Sequence, residues 1–143
     1  MIEVRIIETK TTYPIRLELL RHNSPISHEF SGDIDEDTFH LGVFFEGDLV
    51  SVSTYMKASH QNFKGSQYQL RGMATKEKFQ GKGFGKIMIQ KAESLLKEKG
   101  IEILWCNARE VALKFYQKQG FQLVGELFDI QYAGLHSVMY KKI

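Results

Sequence analysis

Alternating apolar and polar residues mark the first part of the chain. The run Ile2–Ile6 alternates closely enough to predict a strand, which the polar residues from Glu8 end. Phe39–Phe45 and Leu49–Tyr55 are rich in β-branched and aromatic residues, and the Glu-Gly-Asp turn at 46–48 predicts a hairpin between them. These segments therefore predict strands that follow one another directly.

A further run, Tyr68–Thr75, predicts a central strand with an unusual residue at Gly72. Glycine inside a strand is typical of a bulge or of close backbone approach, although a simple weak position gives the same pattern. Phe121–Ile130 and Leu135–Lys142 predict two final strands around a turn at Gly134.

Three segments have apolar residues at helical spacing. The first is short, with Thr12 as its expected cap and Pro14 near its first turn. The longest covers Phe84–Gly100, with the final glycine as its cap, and a strand over Ile101–Trp105 follows it. Arg109–Gln119 predicts the last helix.

The predicted order is β-α-β-β-β-α-β-α-β-β, which indicates an α/β fold with a mixed sheet. Three consecutive strands without intervening helices argue against an all-parallel, doubly wound sheet. At 143 residues, the chain is expected to form one domain over 1–143.

Composition narrows the class of protein. Hydrophobic residues make up 43% and charged residues 25%, a balance typical of globular proteins. A net charge of +2 argues against a protein that binds nucleic acid or an anionic membrane. The single cysteine excludes an intrachain disulfide, and there is neither a signal-like start nor an 18-residue apolar run, so we expect a cytoplasmic protein.

A glycine loop between the central strand and the longest helix is the strongest chemical signal. Gln80–Gly85 places three glycines at alternate positions, where the backbone can curl and present N–H groups at a helix N-terminus. Such a loop is an anion site, or else a turn without a ligand. Four lysines surround it: Lys76, Lys78, Lys82 and Lys86.

The letters of the loop exclude two common phosphate-binding motifs. A Walker A loop needs Gly-Lys followed by Ser or Thr, whereas Gly83 follows Lys82 and Ile87 follows Lys86. A dinucleotide fingerprint needs G-x-G-x-x-G and an acidic residue after the next strand. Here the spacing is G-x-G-x-G, and the next strand ends at Asn107.

The same loop resembles a known family signature. Gln80–Gly85 fits the Gln/Arg-x-x-Gly-x-Gly/Ala signature of the GNAT superfamily of N-acetyltransferases, at that family's position after the fourth strand. Leu104–Phe121 is similar to its second signature, with a strand end, an Asn, then Ala-x-x-Phe-Tyr and Gly-Phe. Leu104–Arg109 further resembles a bacterial branch that includes ElaA-type proteins. The resemblance covers roughly residues 39–142.

This resemblance implies the GNAT fold, in which a mixed, mostly antiparallel sheet is flanked by helices. The strands ending near Thr75 and Asn107 would diverge and admit the pantetheine arm of acetyl-CoA, the acetyl donor. The amides of Met73 and Thr75 would polarise its carbonyl as an oxyanion hole does. No metal is implied. The residues implied to bind the cofactor are Met73, Ala74, Thr75, Gln80, Gly81, Lys82, Gly83, Phe84, Gly85, Lys86, Asn107 and Tyr116.

The implied reaction is direct attack of a neutral amine on the thioester, without an acyl-enzyme. The departing thiolate needs a proton, and Tyr116 occupies the position of the family's Phe-Tyr tyrosine. A phenol, with a reference pKa of about 10, holds its proton at neutral pH and can donate it. The alternative is a core aromatic. Cys106 is not needed as a nucleophile and is expected to be a buried or half-buried structural residue.

The amine must also lose a proton, because the pKa of a lysine-like ammonium is about 10.4. The sequence does not identify the base. His136, which follows the turn at 131–135, is a better candidate than His40, and Glu126 and Asp129 are weaker ones. For each histidine a structural or surface role is favoured over a catalytic one, and a water relay without a dedicated base is equally open.

Two other functions stay open. One is a GNAT-fold sensor that binds acetyl-CoA or CoA without turnover, and the other is a nucleotide-phosphate binder of a different fold. Metal catalysis has little support, because no histidines or carboxylates stand at ligand spacing on one predicted element.

The expected partners are an amine acceptor, either a small molecule or a peptide, and a second copy of the chain through its late strands. Neither nucleic acid nor a membrane is expected. An acidic loop would attract a cationic amine, unless it is only a solvated segment. Its carboxylates are Glu29, Asp33, Asp35, Glu36 and Asp37.

Overall fold

The computed structural model describes residues 1–143, which form seven strands and three α-helices. The helices are α1 (Thr9–Leu19), α2 (Phe84–Glu98) and α3 (Leu113–Lys118). The strands are β1 (Ile2–Ile7), β2 (Phe39–Phe45), β3 (Asp48–Lys57), β4 (Gln67–Thr75), β5 (Ile103–Arg109), β6 (Gln122–Ile130) and β7 (Gly134–Lys142).

All seven strands belong to one sheet in the order β1-β2-β3-β4-β5-β7-β6. The β4–β5 pair is parallel and every other neighbouring pair is antiparallel. The predicted mixed, mostly antiparallel sheet flanked by helices is therefore confirmed. The hairpin between β2 and β3 is also confirmed, with Glu46 and Gly47 at φ angles of 50° and 88°.

Helix α2 forms the main core with the sheet. Its apolar residues recur at helical spacing, and Met88, Ala92 and Leu96 are fully buried against Leu104 and other sheet residues. The backbone of Gly100 adopts a φ of 77°, which ends the helix as the sequence predicted. Helix α1 packs separately, with Ile15 in a smaller apolar cluster.

The first helix differs from its prediction. It begins at Thr9, with Glu8 at the N-cap, rather than after Thr12. The Thr12 hydroxyl lies inside the helix, where it donates to the carbonyl of Thr9 at 2.6 Å and caps no backbone N–H. Pro14 consequently lies within α1 rather than near its first turn.

The predicted helix over Arg109–Gln119 is also wrong in its extent. Antiparallel pairing with β7 keeps β5 extended as far as Arg109, which lies opposite His136. A single 3-10 turn, Glu110–Ala112, then leads into the short α3. None of the helices is both long and apolar enough to cross a membrane.

Candidate active site

The sheet opens between its two parallel strands. β4 and β5 pair only from Gln67 opposite Ile103 to Gln69 opposite Trp105, and beyond these residues the facing edges have no strand partner. The divergence that the family resemblance implied is therefore present. A cavity of about 400 Å³ occupies the opening, within the size range of small-molecule sites.

A β-bulge lies in β4 where the strands part. The pairing of β3 with β4 shifts by one residue between Val52 and Thr54, and Gly72 lies in the extra backbone with a φ of 60°. A Cβ at this position would lie 2.6 Å from Cε2 of Phe30. The sequence prediction of a bulge or close approach at Gly72 is confirmed on both counts.

Four of the predicted site residues line the cavity: Met73, Asn107, Tyr116 and His136. Asn107 is exposed, and its side chain forms no hydrogen bond within the chain. The remaining predicted residues, Ala74, Thr75 and the loop 80–86, lie outside its lining. Side chains that are distant in sequence thus meet at one opening. The glycine loop lies next to it, since a Cβ at Gly85 would be 3.6 Å from Sδ of Met73.

The hydroxyl of Tyr116 points across the opening. It donates to Sδ of Met73 at 3.9 Å, a weak contact that joins α3 to the end of β4. The ring packs edge-on against Phe115 and Phe121, with centroids 5.1 Å and 5.3 Å away. Burial raises the pKa of Tyr116 well above its ordinary value, and the phenol therefore keeps its proton at neutral pH.

His136, at the start of β7, is held in one orientation. Its Nδ1 lies 2.8 Å from the carbonyl oxygen of Gly134, and a carbonyl only accepts, so Nδ1 carries the hydrogen of the neutral ring. Nε2 therefore has the lone pair. This atom has no partner in the chain and is not among the fully enclosed unpaired atoms, so it is accessible to solvent, and His136 lines the cavity.

The start of α2 offers a row of free backbone donors. None of the N–H groups from Gly81 to Lys86 donates a hydrogen bond within the chain, and the first amide that does is Ile87, to the carbonyl of Gly83 at 3.1 Å. The φ angles of Gly81 and Gly83 are 74° and 85°, and a Cβ on either would meet no atom within 4 Å. This open curl at a helix N-terminus suits an anion.

Two residues of this loop differ from the rest. Gly85 belongs to α2, where a Cβ would lie 2.9 Å from Cζ of Phe115, so this third glycine allows α2 and α3 to pack closely. The sequence prediction attributed all three glycines to backbone curling, which is wrong for Gly85. The side chain of Phe84 is buried in the core, leaving only its amide toward the loop.

Hydrogen bonds fix the loop against the end of β4. The side-chain amide of Gln80 donates to the carbonyl oxygen of Thr75 at 2.9 Å. The hydroxyls of Thr75 and Ser51 are 2.7 Å apart, and Ser51 also donates to the carbonyl of Ala74 at 3.1 Å. The end of β4 and the start of α2 are therefore held together.

The structure excludes His40 as a base. Its Nδ1 is 2.7 Å from the Thr54 hydroxyl and its Nε2 is 3.1 Å from the Asp33 carbonyl oxygen, so both nitrogens are occupied. Burial lowers its pKa. Glu126 and Asp129 are exposed and lie outside the cavity lining.

The acidic loop also differs from its prediction. Asp33 is buried and receives two hydrogen bonds from the Arg16 guanidinium, at 2.7 Å and 2.9 Å, so its charge is already paired. None of the five carboxylates of that loop lines the cavity. Asp33 is therefore not available to attract a cationic amine, whereas Glu29, Asp35, Glu36 and Asp37 are exposed, as the alternative of a solvated segment predicts.

Cys106 is buried, as the sequence predicted, and burial raises the pKa of its thiol. The chain brings together no group of three or more His, Cys, Asp or Glu side chains suited to hold a metal ion. Sequence reasoning missed three arginines in the cavity lining, namely Arg21, Arg71 and Arg109. No linear motif marks them.

Comparison with known proteins agrees with this geometry. The profile of the acetyltransferase (GNAT) family matches residues 5–121. The chain is 41% identical over 145 residues to the uncharacterized N-acetyltransferase YitI of Bacillus subtilis (strain 168), covering 100% of this chain and 97% of that protein. It is 34% identical over 93 residues to a spermine/spermidine N(1)-acetyltransferase of the same organism, covering 61% of each.

Solved structures show the same fold at low identity. Escherichia coli ElaA aligns with a TM-score of 0.80 at 18% identity over 99% of both chains. An aminoglycoside 6'-N-acetyltransferase complexed with coenzyme A aligns with a TM-score of 0.79 at 11% identity, covering 98% of this chain and 96% of that one. With its matching profile, its full-length relative and this fold, the chain belongs to the GNAT family of acetyltransferases.

Proposed function

We propose that residues 1–143 act as one domain that transfers the acetyl group of acetyl-CoA directly to a primary amine, on a small molecule, a peptide N-terminus or a lysine. The observation that carries this proposal is the row of unpaired amides from Gly81 to Lys86 beside a sheet that opens between β4 and β5. A helix start with free donors suits the pyrophosphate, and an unpaired strand edge suits the amide-rich pantetheine arm.

The residues present fit acetyl-CoA. The loop from Gln80 to Lys86 would hold its phosphates, because the curl at Gly81 and Gly83 is open to an approaching ligand. The free edge of β4 at Met73–Thr75 and the side chain of Asn107 would hold the arm. When bound, the cosubstrate supplies an acetyl thioester that an amine can attack.

Tyr116 is the proposed general acid. Its hydroxyl is buried at the opening, keeps its proton at neutral pH and has only the Met73 sulfur as a neighbour in hydrogen-bond range. A proton held at this place serves a departing thiolate.

His136 is the proposed general base. The Gly134 carbonyl fixes the hydrogen on Nδ1 and leaves the lone pair of Nε2 without a partner, and His136 lines the same cavity. An amine entering that cavity would give its proton to Nε2, directly or through one water.

The branch of the family, the cellular location and the oligomeric state are also proposed. Leu104–Arg109 supports an ElaA-like branch, and the free thiol of Cys106 fits a reducing cytoplasm. β6, at one edge of the sheet, carries the exposed Leu123 and Leu127 and supports pairing with a second copy.

Release of free thiol from acetyl-CoA over a panel of amines tests the function. Wild-type protein is expected to release CoA with at least one amine and Tyr116→Phe to do so far more slowly. Binding of acetyl-CoA without turnover on any amine would instead favour a sensor. Competition for the site by ATP but not by CoA would favour a nucleotide-phosphate binder.

A further inference from the structure

The cavity between β4 and β5 is lined by three arginines and by no carboxylate. They come from different parts of the chain: Arg21 follows α1, Arg71 belongs to β4 and Arg109 ends β5. Because no acidic side chain lines the same cavity, its wall is positively charged.

None of these arginines forms a salt bridge. Arg21 donates only to the carbonyls of Ser27 and Leu20, and Arg71 only to Sδ of Met56 at 3.9 Å. The Arg109 side chain forms no hydrogen bond. A guanidinium has five N–H donors, so most donors of these side chains are free. None of the unpaired nitrogens of Arg21 and Arg71 is fully enclosed, and Arg109 is exposed.

Arg16 shows what a paired arginine looks like in the same region. It is fully buried, and Asp33 neutralises it through two hydrogen bonds. The negative charge of Asp33 is therefore already paired with Arg16. Arg71 is close to Arg16. Burial, and then repulsion from Arg16, lower the pKa of Arg71.

The ring of Phe30 packs against the guanidinium groups of two cavity arginines, Arg71 and Arg21, and of the paired Arg16. Their carbon atoms lie 3.7 Å, 4.6 Å and 5.2 Å from the ring centroid for Arg16, Arg71 and Arg21. Burial, followed by repulsion from Arg71, Arg16 and Arg109, lowers the pKa of Arg21. Arg71, Arg21 and the nearby Arg109, none of which has a paired counter-charge, thus form a cluster of positive charge along the cavity.

The location of the cluster indicates which substrate it serves. The proposed phosphate loop, 80–86, does not line this cavity, whereas Tyr116 and His136 do. Arg109 lies opposite His136 in the β5–β7 pairing, and side chains of such a pair share a face of the sheet. The cluster is therefore beside the proposed acid and base.

We propose that the acceptor is a small amine that also carries an anionic group, a carboxylate or a phosphate, bound by Arg71 with Arg21 and Arg109. This rests on the proposed acetyl transfer. Planar guanidinium groups bind carboxylate and phosphate in pairs of hydrogen bonds, which orients the amine toward His136. A polyamine, the acceptor in the name of one relative, has only positive charges and would be repelled.

Matched pairs of acceptors test the proposal. Tyrosine and tyramine differ by a carboxylate, O-phosphoethanolamine and ethanolamine by a phosphate, and spermidine provides the polycation. We expect kcat/KM to be at least about tenfold higher for the anionic member of one pair, and that pair identifies the group. Equal values within both pairs, or preference for spermidine, would overturn the proposal while leaving acetyl transfer intact.

Substitutions assign the preference to the arginines. Arg71→Met should reduce the preference within the favoured pair about tenfold through KM for the acceptor, and Arg71→Lys should restore part of it. Arg109→Met, at an exposed residue, repeats the test without a buried change. Arg5→Met, on β1 and outside the cavity, is the matched control and should keep the preference.

Two results distinguish failure of this inference from failure of the proposed function. If Arg71→Met and Arg109→Met weaken acetyl-CoA binding but leave the acceptor KM unchanged, the cluster serves the cosubstrate and the proposal fails. If wild-type protein shows neither acetyl-CoA binding nor turnover with any acceptor, the proposed function fails, and this inference with it.

Discussion

The hydroxyl of Tyr116 on α3 lies 3.9 Å from Sδ of Met73 at the end of β4, across the opening of the sheet. This contact brings together two residues from opposite sides of the proposed acetyl site. A sulfur at this distance is a weak acceptor, so the contact adds little to stability. The hydroxyl therefore contributes little to holding the fold, which agrees with its proposed role in proton transfer.

Tyr116→Phe should therefore separate rate from stability. We expect kcat to fall about 100-fold or more, because a positioned general acid contributes about 10²–10⁴-fold. The affinity for acetyl-CoA and the unfolding midpoint should change little. Steady-state kinetics and thermal unfolding provide the two measurements.

Tyr55→Phe is the matched control. Tyr55 is fully buried outside the cavity lining, and its hydroxyl lies 2.9 Å from that of Ser53. Its loss should cost about 1 kcal/mol of stability and leave kcat unchanged. Full activity in Tyr116→Phe would contradict the assignment of the acid.

His136→Gln tests the base through the choice of acceptor. Ordinary alkyl amines are protonated at neutral pH, with pKa values of about 10.4, and need deprotonation. Weakly basic acceptors such as hydroxylamine or hydrazides are already neutral. We expect kcat/KM to fall at least about 100-fold for alkyl amines and much less for weakly basic acceptors.

His22→Gln, at an exposed residue outside the cavity, should alter neither value. An equal loss of activity with both classes of acceptor would show that His136 has a different role, such as positioning.

Much of the fold and part of the site could be predicted from local patterns. The loop before α2 was predictable because its glycines and the helical spacing after Phe84 lie within a few residues of one another. The extension of β5 to Arg109 was not, because it depends on pairing with His136, which is distant in sequence. The helical spacing of the apolar residues after Arg109 predicted a helix that begins at this residue instead.

The arginine cluster was hidden for a similar reason. Arg71 lies in a strand and Arg21 in a loop, and neither belongs to a motif. Only packing around Phe30 brings them together. The sequence of the acidic loop likewise does not show that one of its carboxylates, Asp33, is buried and paired with Arg16.

Gly83→Ala tests the phosphate loop. The φ of 85° at Gly83 disfavours a Cβ, so alanine should distort the curl that presents the free amides. We expect KM for acetyl-CoA to rise about tenfold, with little change for S-acetylpantetheine, which lacks the pyrophosphate. Kinetics with both donors measure this difference.

Gly47→Ala carries the same backbone penalty at a φ of 88° in the β2–β3 turn, where a Cβ also meets nothing within 4 Å. It should lose stability without changing KM for either donor. A parallel rise for both donors in Gly83→Ala would argue against phosphate binding by this loop.

Asp33→Asn should destabilise the protein by about 3 kcal/mol, because it leaves the buried Arg16 without its counter-charge. Burial alone would raise the pKa of Asp33, but hydrogen bonds from Arg16 and the Phe30 amide outweigh it and lower the pKa. The contribution of this carboxylate is therefore full above its unfolded pKa of about 3.9 and is lost as pH falls through the folded value.

Urea unfolding at pH values from about 2 to about 7, a range that covers the titration of carboxylates, measures both effects. The stability of the wild type should fall more steeply below about pH 4 than that of Asp33→Asn. Asp35→Asn, at an exposed neighbour, should change stability by less than about 0.5 kcal/mol. Equal acid sensitivity in wild type and Asp33→Asn would refute the pairing.

The central claim is that acetyl-CoA binds at the start of α2 and along the open edge of β4. Amide proton–nitrogen correlation NMR spectra, recorded at each step of a titration with acetyl-CoA, report on these donors directly. The amides from Gly81 to Lys86 should shift as they become hydrogen-bond donors, together with those of Met73–Thr75, while the turn amide of Gly47 stays in place. Saturating acetyl-CoA that leaves the 81–86 amides unshifted would contradict the account.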